Sequence, residues 1–111
     1  MRIQTRHIYL ADLNPTFGVE MRKERPVLIL QKQSTLRRTV IIAPISSKEY
    51  THQKWEYPLQ KNGRNRLYAD SIVILDQLRA IDIRRCIGEI GYIDAKTYYA
   101  IVQHLVALFD Y

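Results

Sequence analysis

Apolar residues along the chain come in short runs separated by polar stretches that carry proline and glycine, the pattern of a sheet built from short strands. Residues 8–13 (Ile-Tyr-Leu-Ala-Asp-Leu) predict a first strand that ends at the Asn14-Pro15 turn. Residues 27–30 (Val-Leu-Ile-Leu) are apolar without a break, as expected of a strand buried on both faces. Residues 39–45 predict a third strand, in which Pro44 implies an edge or a bulge. Trp55-Glu56-Tyr57 alternates and predicts a short strand closed by Pro58. A fifth run, residues 70–77, stops on the polar pair Asp76-Gln77. Residues 80–85 look like a helical turn, and residues 86–92 return as a strand weakened by Gly88 and Gly91. The last element is the one long helix: Asp94 is a good N-cap, and Tyr98, Ile101, Val102, Leu105, Leu108 and Phe109 recur at helical spacing. Those six predict an inward face. The order of elements predicts one domain over residues 1–111, mainly β with a C-terminal helix (α+β), its strands closing into a small barrel or strongly coiled sheet.

Charge changes the picture next. Seventeen Lys and Arg against eleven Asp and Glu give a net charge of +6. That balance favours polyanionic partners: nucleic acid, an acidic protein or an anionic surface. A merely solvated basic exterior is the plain alternative. Cys86 is the single cysteine, so no intrachain disulfide forms and the chain reads as cytoplasmic. Residues 1–7 lack the apolar core of a signal peptide, and no run approaches the roughly 20 apolar residues of a membrane span.

The basic residues concentrate in four places: Arg22, Lys23 and Arg25; Arg37 and Arg38; Lys61, Arg64 and Arg66 around the Asn62-Gly63 turn; and Arg79, Arg84 and Arg85. The first group lies in a polar loop, residues 14–26, fastened between two strands. Pro26 biases Arg25 toward an extended backbone and, lacking an N–H, suits the first residue of the next strand. Phe17 beside Gly18 either packs back on the barrel or stacks on a nucleobase. Other chemistries are excluded by pattern. His7, His52 and His104 have no metal-ligand spacing, no metal or other cofactor is implied, and there is neither a phosphate-binding glycine loop nor a nucleophile elbow. His52, in the hydrophilic loop 46–54, is conceivable as a general base; His104 reads as a surface or interface residue.

Residues 9–20 (Tyr-Leu-Ala-Asp-Leu-Asn-Pro-Thr-Phe-Gly-Val-Glu), then Arg25-Pro26-Val27-Leu28-Ile29-Leu30-Gln31 and later residues 70–82, closely resemble the MazF/PemK toxins of bacterial toxin–antitoxin systems. The resemblance runs from about residue 8 to 108 and is weak between about 33 and 68. It implies an SH3-like barrel of the MazF/PemK/CcdB type, a homodimer, and metal-independent, ribosome-independent, sequence-specific cleavage of single-stranded mRNA. It also implies a cognate antitoxin as partner, acidic and partly disordered. In that family the arginine of the Arg-Pro-Val motif and a Thr or Ser after the third strand carry the chemistry; Arg25 and Ser46 match them. Phe17, Gly18, Glu20, Asp76 and Gln77 are the candidates for holding RNA. For Asp76 a strand-end ion pair with Arg79 is the competing reading.

A guanidinium suits this reaction. RNA supplies its own 2′-OH as nucleophile, so the protein need only orient it and stabilise charge on the phosphoryl oxygens. Arginine cannot be the base, and Ser46 reads as an orienting hydroxyl rather than a nucleophile. The chain departs from relatives at Val19 and Met21, where many have Ser and Gln around the glutamate, and at Arg6-His7, where many have Gly-Asp. Two other classes remain: a toxin of the same barrel that binds DNA gyrase through the C-terminal helix, with Phe109 and Tyr111, and a non-catalytic SH3-like module with Phe17, Tyr9 and Trp55 in a peptide groove.

Overall fold

The computed structural model describes residues 2–13 and 24–110. In chain order its elements are β1 (His7–Asp12), β2 (Glu24–Ile29), β3 (Thr39–Ser46), β4 (Glu56–Leu59), β5 (Ser71–Ile74), β6 (Arg79–Asp82), β7 (Cys86–Tyr92) and α1 (Ala95–Leu108). Every pairing is antiparallel, in the order β4-β5-β3-β2-β1-β7, with β6 also on β3. The mainly-β, helix-terminated class read from the sequence is therefore the observed one.

Side-chain alternation along these strands sorts the core into two clusters. Tyr9 and Ala11 of β1, Val27 and Ile29 of β2, and Val40 and Ile42 of β3 share one cluster with Ile81 and Cys86. The intervening residues Ile8, Leu28, Ala43 and Ile45 join the other with Val73, Leu75 and Ile101 of α1. Val27, Leu28 and Ile29 are wholly buried, because both faces of β2 are covered.

Several local expectations are corrected. Residues 80–85 are not a helical turn: Arg79–Asp82 is a strand on β3, and only Ile83–Arg85 forms a 3₁₀ turn. Ladder bonds to β3 outweigh the local preference, and Ile81 is buried by the pairing. The fifth strand ends at Ile74, and Leu75–Gln77 is another 3₁₀ turn. Pro26 is the third residue of β2, not the first. Pro58 lies inside β4, tolerable because β4 is a sheet edge. Pro44 stands in a central strand, at the joint where β3 leaves β6, last paired through Ile42, for β5, first paired through Ile45. A missing N–H costs little where neither ladder runs.

Asp94 caps α1, its carboxylate accepting from Thr97 N–H at 2.7 Å. Tyr98, Ile101, Leu105 and Leu108 pack on the second cluster, and the Tyr98 hydroxyl donates to the Leu30 carbonyl. Phe109, expected inward, is 66% exposed. It and Val102 line an outward groove with Tyr99 and Val106, because the helix is apolar on more than one side. No described helix is long and apolar enough to cross a membrane.

Candidate active site

The strand register relates the ends of β2 and β3 that carry Arg25 and Ser46. In β2 and β3 the paired residues are Val27↔Pro44, Leu28↔Ala43 and Ile29↔Ile42. Continued past Pro26, this register sets Arg25 opposite Ser46. Alternation puts both on the same side: Arg25 is in phase with Val27 and Ile29, and Ser46 with Val40 and Ile42. Two positions twenty-one residues apart in sequence thus lie toward the same end of the paired strands β2 and β3, beyond the last printed pair Val27↔Pro44.

Arg25 is half-buried, and its Nε has no hydrogen-bond partner among the described residues. Burial pushes the guanidinium below its usual range, yet arginine stays charged at neutral pH. A shielded N–H without an acceptor costs roughly 1–3 kcal/mol, which a ligand oxygen would recover. Ser46 is buried, and its Oγ accepts from Lys48 N–H at 3.2 Å. That bond uses a lone pair and leaves the hydroxyl hydrogen to donate. The pair therefore offers a fixed positive fork and one neutral donor.

Beyond Ser46 the site continues. Its partner on β5, Ile72, lines a cavity of about 260 Å³ shared with Lys48, Trp55, Asp76 and Gln77. Asp76 and Gln77 stand on the 3₁₀ turn after β5 and are exposed. Asp76 makes no ion pair with Arg79 among the described residues; the Arg79 guanidinium instead donates to the Leu13 carbonyl at 3.4 Å. Trp55, assigned from sequence to a strand, lies just before β4 and is 41% exposed. The only sequence signal for its place beside Asp76 and Gln77 is that it borders the hydrophilic loop 46–54. Glu56 closes that loop. Burial opposes its ionisation, but the Thr51 amide and hydroxyl, both donating at 2.8–2.9 Å, hold it below the usual range.

Phe17, Gly18 and Glu20 lie outside the described residues, as do Val19 and Met21. The two ends of their loop are placed: Glu24 opens β2, and the departing end of β1 is held by Arg79 on Leu13 and by Arg85, whose guanidinium donates to the Asp12 carbonyl at 3.3 Å. His52 is exposed, its ring 4.2 Å from that of Tyr50. His104 is an exposed helix residue with its ring edge-on to Tyr57 at 5.1 Å. Among the described residues no group of three or more His, Cys, Asp or Glu is placed to hold a metal ion.

A small antiparallel β-sheet fold with a C-terminal helix carries a half-buried arginine at one end of β2 and a buried serine donor at the end of β3. A family model described as PemK-like, MazF-like toxin of type II toxin-antitoxin system matches residues 4–109, and the chain belongs to that family. The Bacillus subtilis (strain 168) endoribonuclease EndoA is 29% identical over 119 aligned positions spanning all of both chains. The Staphylococcus saprophyticus endoribonuclease MazF is 34% identical over 99 positions, covering 80% of this chain and 76% of its own. Among solved structures, the Mycobacterium tuberculosis toxin MazF-mt6 superposes with a TM-score of 0.75 at 27% identity, over 96% of this chain and 100% of that one.

Proposed function

We propose that this chain is the toxin of a type II toxin–antitoxin system and cuts single-stranded mRNA as a metal-independent endoribonuclease. The observation that carries the mechanism is the shielded Arg25 Nε, without an acceptor among the described residues, on the strand whose register, continued past Val27↔Pro44, leads to the Ser46 donor. In the reaction the ribose 2′-oxygen forms a bond to the adjacent phosphorus and the bond to the 5′-oxygen breaks. The 2′-OH gives up its proton, and the leaving 5′-oxygen gains one. Arg25 stabilises charge growing on the non-bridging oxygens. Ser46 donates a hydrogen bond that orients the phosphate or the 2′-oxygen. Asp76, Gln77 and Trp55 line the pocket for a neighbouring base, the first two at its edge and the last at its face. Phe17, Gly18 and Glu20 complete the groove from the loop.

The +6 charge fits an acidic antitoxin as well as RNA. Two copies form the working unit in this proposal, and Thr97 to Phe109, which carries no Lys, Arg, Asp or Glu, is a stretch where a second copy could approach without charge repulsion. Its exposed apolar groove is also the feature that favours a second reading, docking on a protein target such as DNA gyrase. Incubation of the purified protein with a long single-stranded RNA in EDTA separates the two. Discrete cuts support the nuclease. Intact RNA together with inhibited supercoiling supports the docking toxin.

A further inference from the structure

At the other end of β2 from Arg25, the N-terminal segment and the β2–β3 loop enclose a second depression, of about 890 Å³. Arg2, Arg6 and Lys32 line it, and no aspartate or glutamate does. Among the described residues none of the three cations is in an ion pair. The uncharged polar lining adds donors. Gln33 spends its Oε1 accepting from Ile3 N–H at 2.9 Å, which leaves its NH₂ group to donate. Ser34 spends an Oγ lone pair on Leu36 N–H at 3.0 Å, which leaves its hydroxyl hydrogen. Cations and donors without a counter-charge are the lining of an anion site.

Arg6 is held there against its backbone preference. It is the third residue of a turn closed by His7 N–H donating to the Gln4 carbonyl at 3.2 Å, and its φ is 73°. A positive φ at that position is glycine's place in a type II turn, and any other residue is strained there. The turn is clamped on both sides, with Arg6 N–H donating to Ile29 and Ile93 N–H donating to the Arg6 carbonyl, each at 2.9 Å. Strain retained at a charged cavity residue points to a use for the side chain.

We propose that this depression is a second phosphate site, holding the RNA backbone away from the scissile bond. The proposal rests on the endoribonuclease reading. The four residue steps from Arg25 to Ile29 separate the two ends of β2 by about 13 Å, so only a strand longer than the cleavage site engages both.

Arg6→Gly tests it cleanly, because glycine removes the charge and relaxes the turn. The variant is expected to melt no lower than the parent and to cut a short RNA at the parent rate. Binding is measured by fluorescence anisotropy on a long single-stranded oligodeoxynucleotide, which lacks the 2′-hydroxyl and is not cut. The slope of log affinity against log salt should become shallower by about 0.7 for the one lost phosphate contact. Arg6→Gly with Lys32→Gln should lose about the same again. Inorganic phosphate added to the parent should shift amide resonances of residues 4–7 and 32–35, and not in Arg6→Gly. Unchanged slopes in both variants would overturn the site, whatever Arg25→Ala does to cleavage. Normal binding to the oligonucleotide with lost affinity for an acidic polypeptide would assign the cavity to a protein partner, and also overturn it. A lost slope in a protein whose parent cuts no RNA would support the site and remove the cleavage reading alone.

Discussion

Asn65 and Arg25 both lie in segments that read from sequence as basic and solvated, and both carry polar atoms shut away from water. In Asn65 every such atom is used. Its Oδ1 accepts from Asn62 N–H and Leu67 N–H at 3.0 and 3.1 Å, and its Nδ2 donates to the Gln60 carbonyl at 2.8 Å. The turn it organises then packs on Gly91, where an added Cβ would stand 2.4 Å from the Arg64 carbonyl. Arg25 is the opposite case, with an Nε that nothing described accepts from. A satisfied buried polar group holds the fold together. One left without a partner among the described residues calls for an explanation.

The sharpest way to break this comparison is Arg25→Ala. We expect cleavage to fall by roughly a hundredfold to a thousandfold or more, the scale of losing a principal oxyanion donor. Folding stability should stay level or rise, because a desolvated group with no partner among the described residues has been removed. Arg25→Lys should not restore the rate, since a point charge lacks the planar fork. A folded Arg25→Ala protein that still cuts RNA would sink the assignment. Asn65→Ala should do the reverse. It strands two amides and a carbonyl, so denaturant unfolding should show a loss of about 2–3 kcal/mol, with turnover per folded molecule unchanged.

Ser46→Ala comes next, expected to slow cleavage about tenfold, the worth of one hydrogen bond strengthened in the transition state. RNA affinity should hold. Unchanged turnover would move the hydroxyl role to Ser47 or remove it. The smallest effect is expected at an arginine that is paired. Arg84 grips Asp82 through two side-chain bonds of 3.0 and 2.9 Å, which, with the Arg84 amide, lower the Asp82 carboxyl from 3.8 to about 2. A lowered folded-state pKa stabilises the fold above the ordinary value, so this contribution is present above about pH 4 and lost as pH falls toward 2. Asp82→Asn should flatten that acid limb of the stability curve slightly, since the pair is exposed. Cleavage at neutral pH should not change.

Much of this was legible in order of residues. Period-2 runs with β-branched residues located most strands, and the Asp94 cap and its 3.6-residue spacing located α1, because those signals are local. Residues 80–85 failed for the same reason: their local pattern suggests a turn of helix, while β3 supplies ladder partners from a distant part of the chain. The Asn-Pro…Arg-Pro-Val signature sufficed to nominate Arg25 and, through the family resemblance, Ser46.

By itself, then, the sequence determined the class of fold, the family and the two residues of the proposed chemistry, since each is written in a short stretch of chain. Tertiary structure decided which basic residues are spent and which are kept. Arg84 and Arg64 find Asp82 and Asp94, Asn65 saturates its turn, and Arg25 keeps an Nε with no acceptor among the described residues. Lys32 and Arg6, twenty-six residues apart, meet across one cavity only after the sheet has formed. Charge can be counted along a chain, but desolvation and pairing depend on neighbours that only folding supplies.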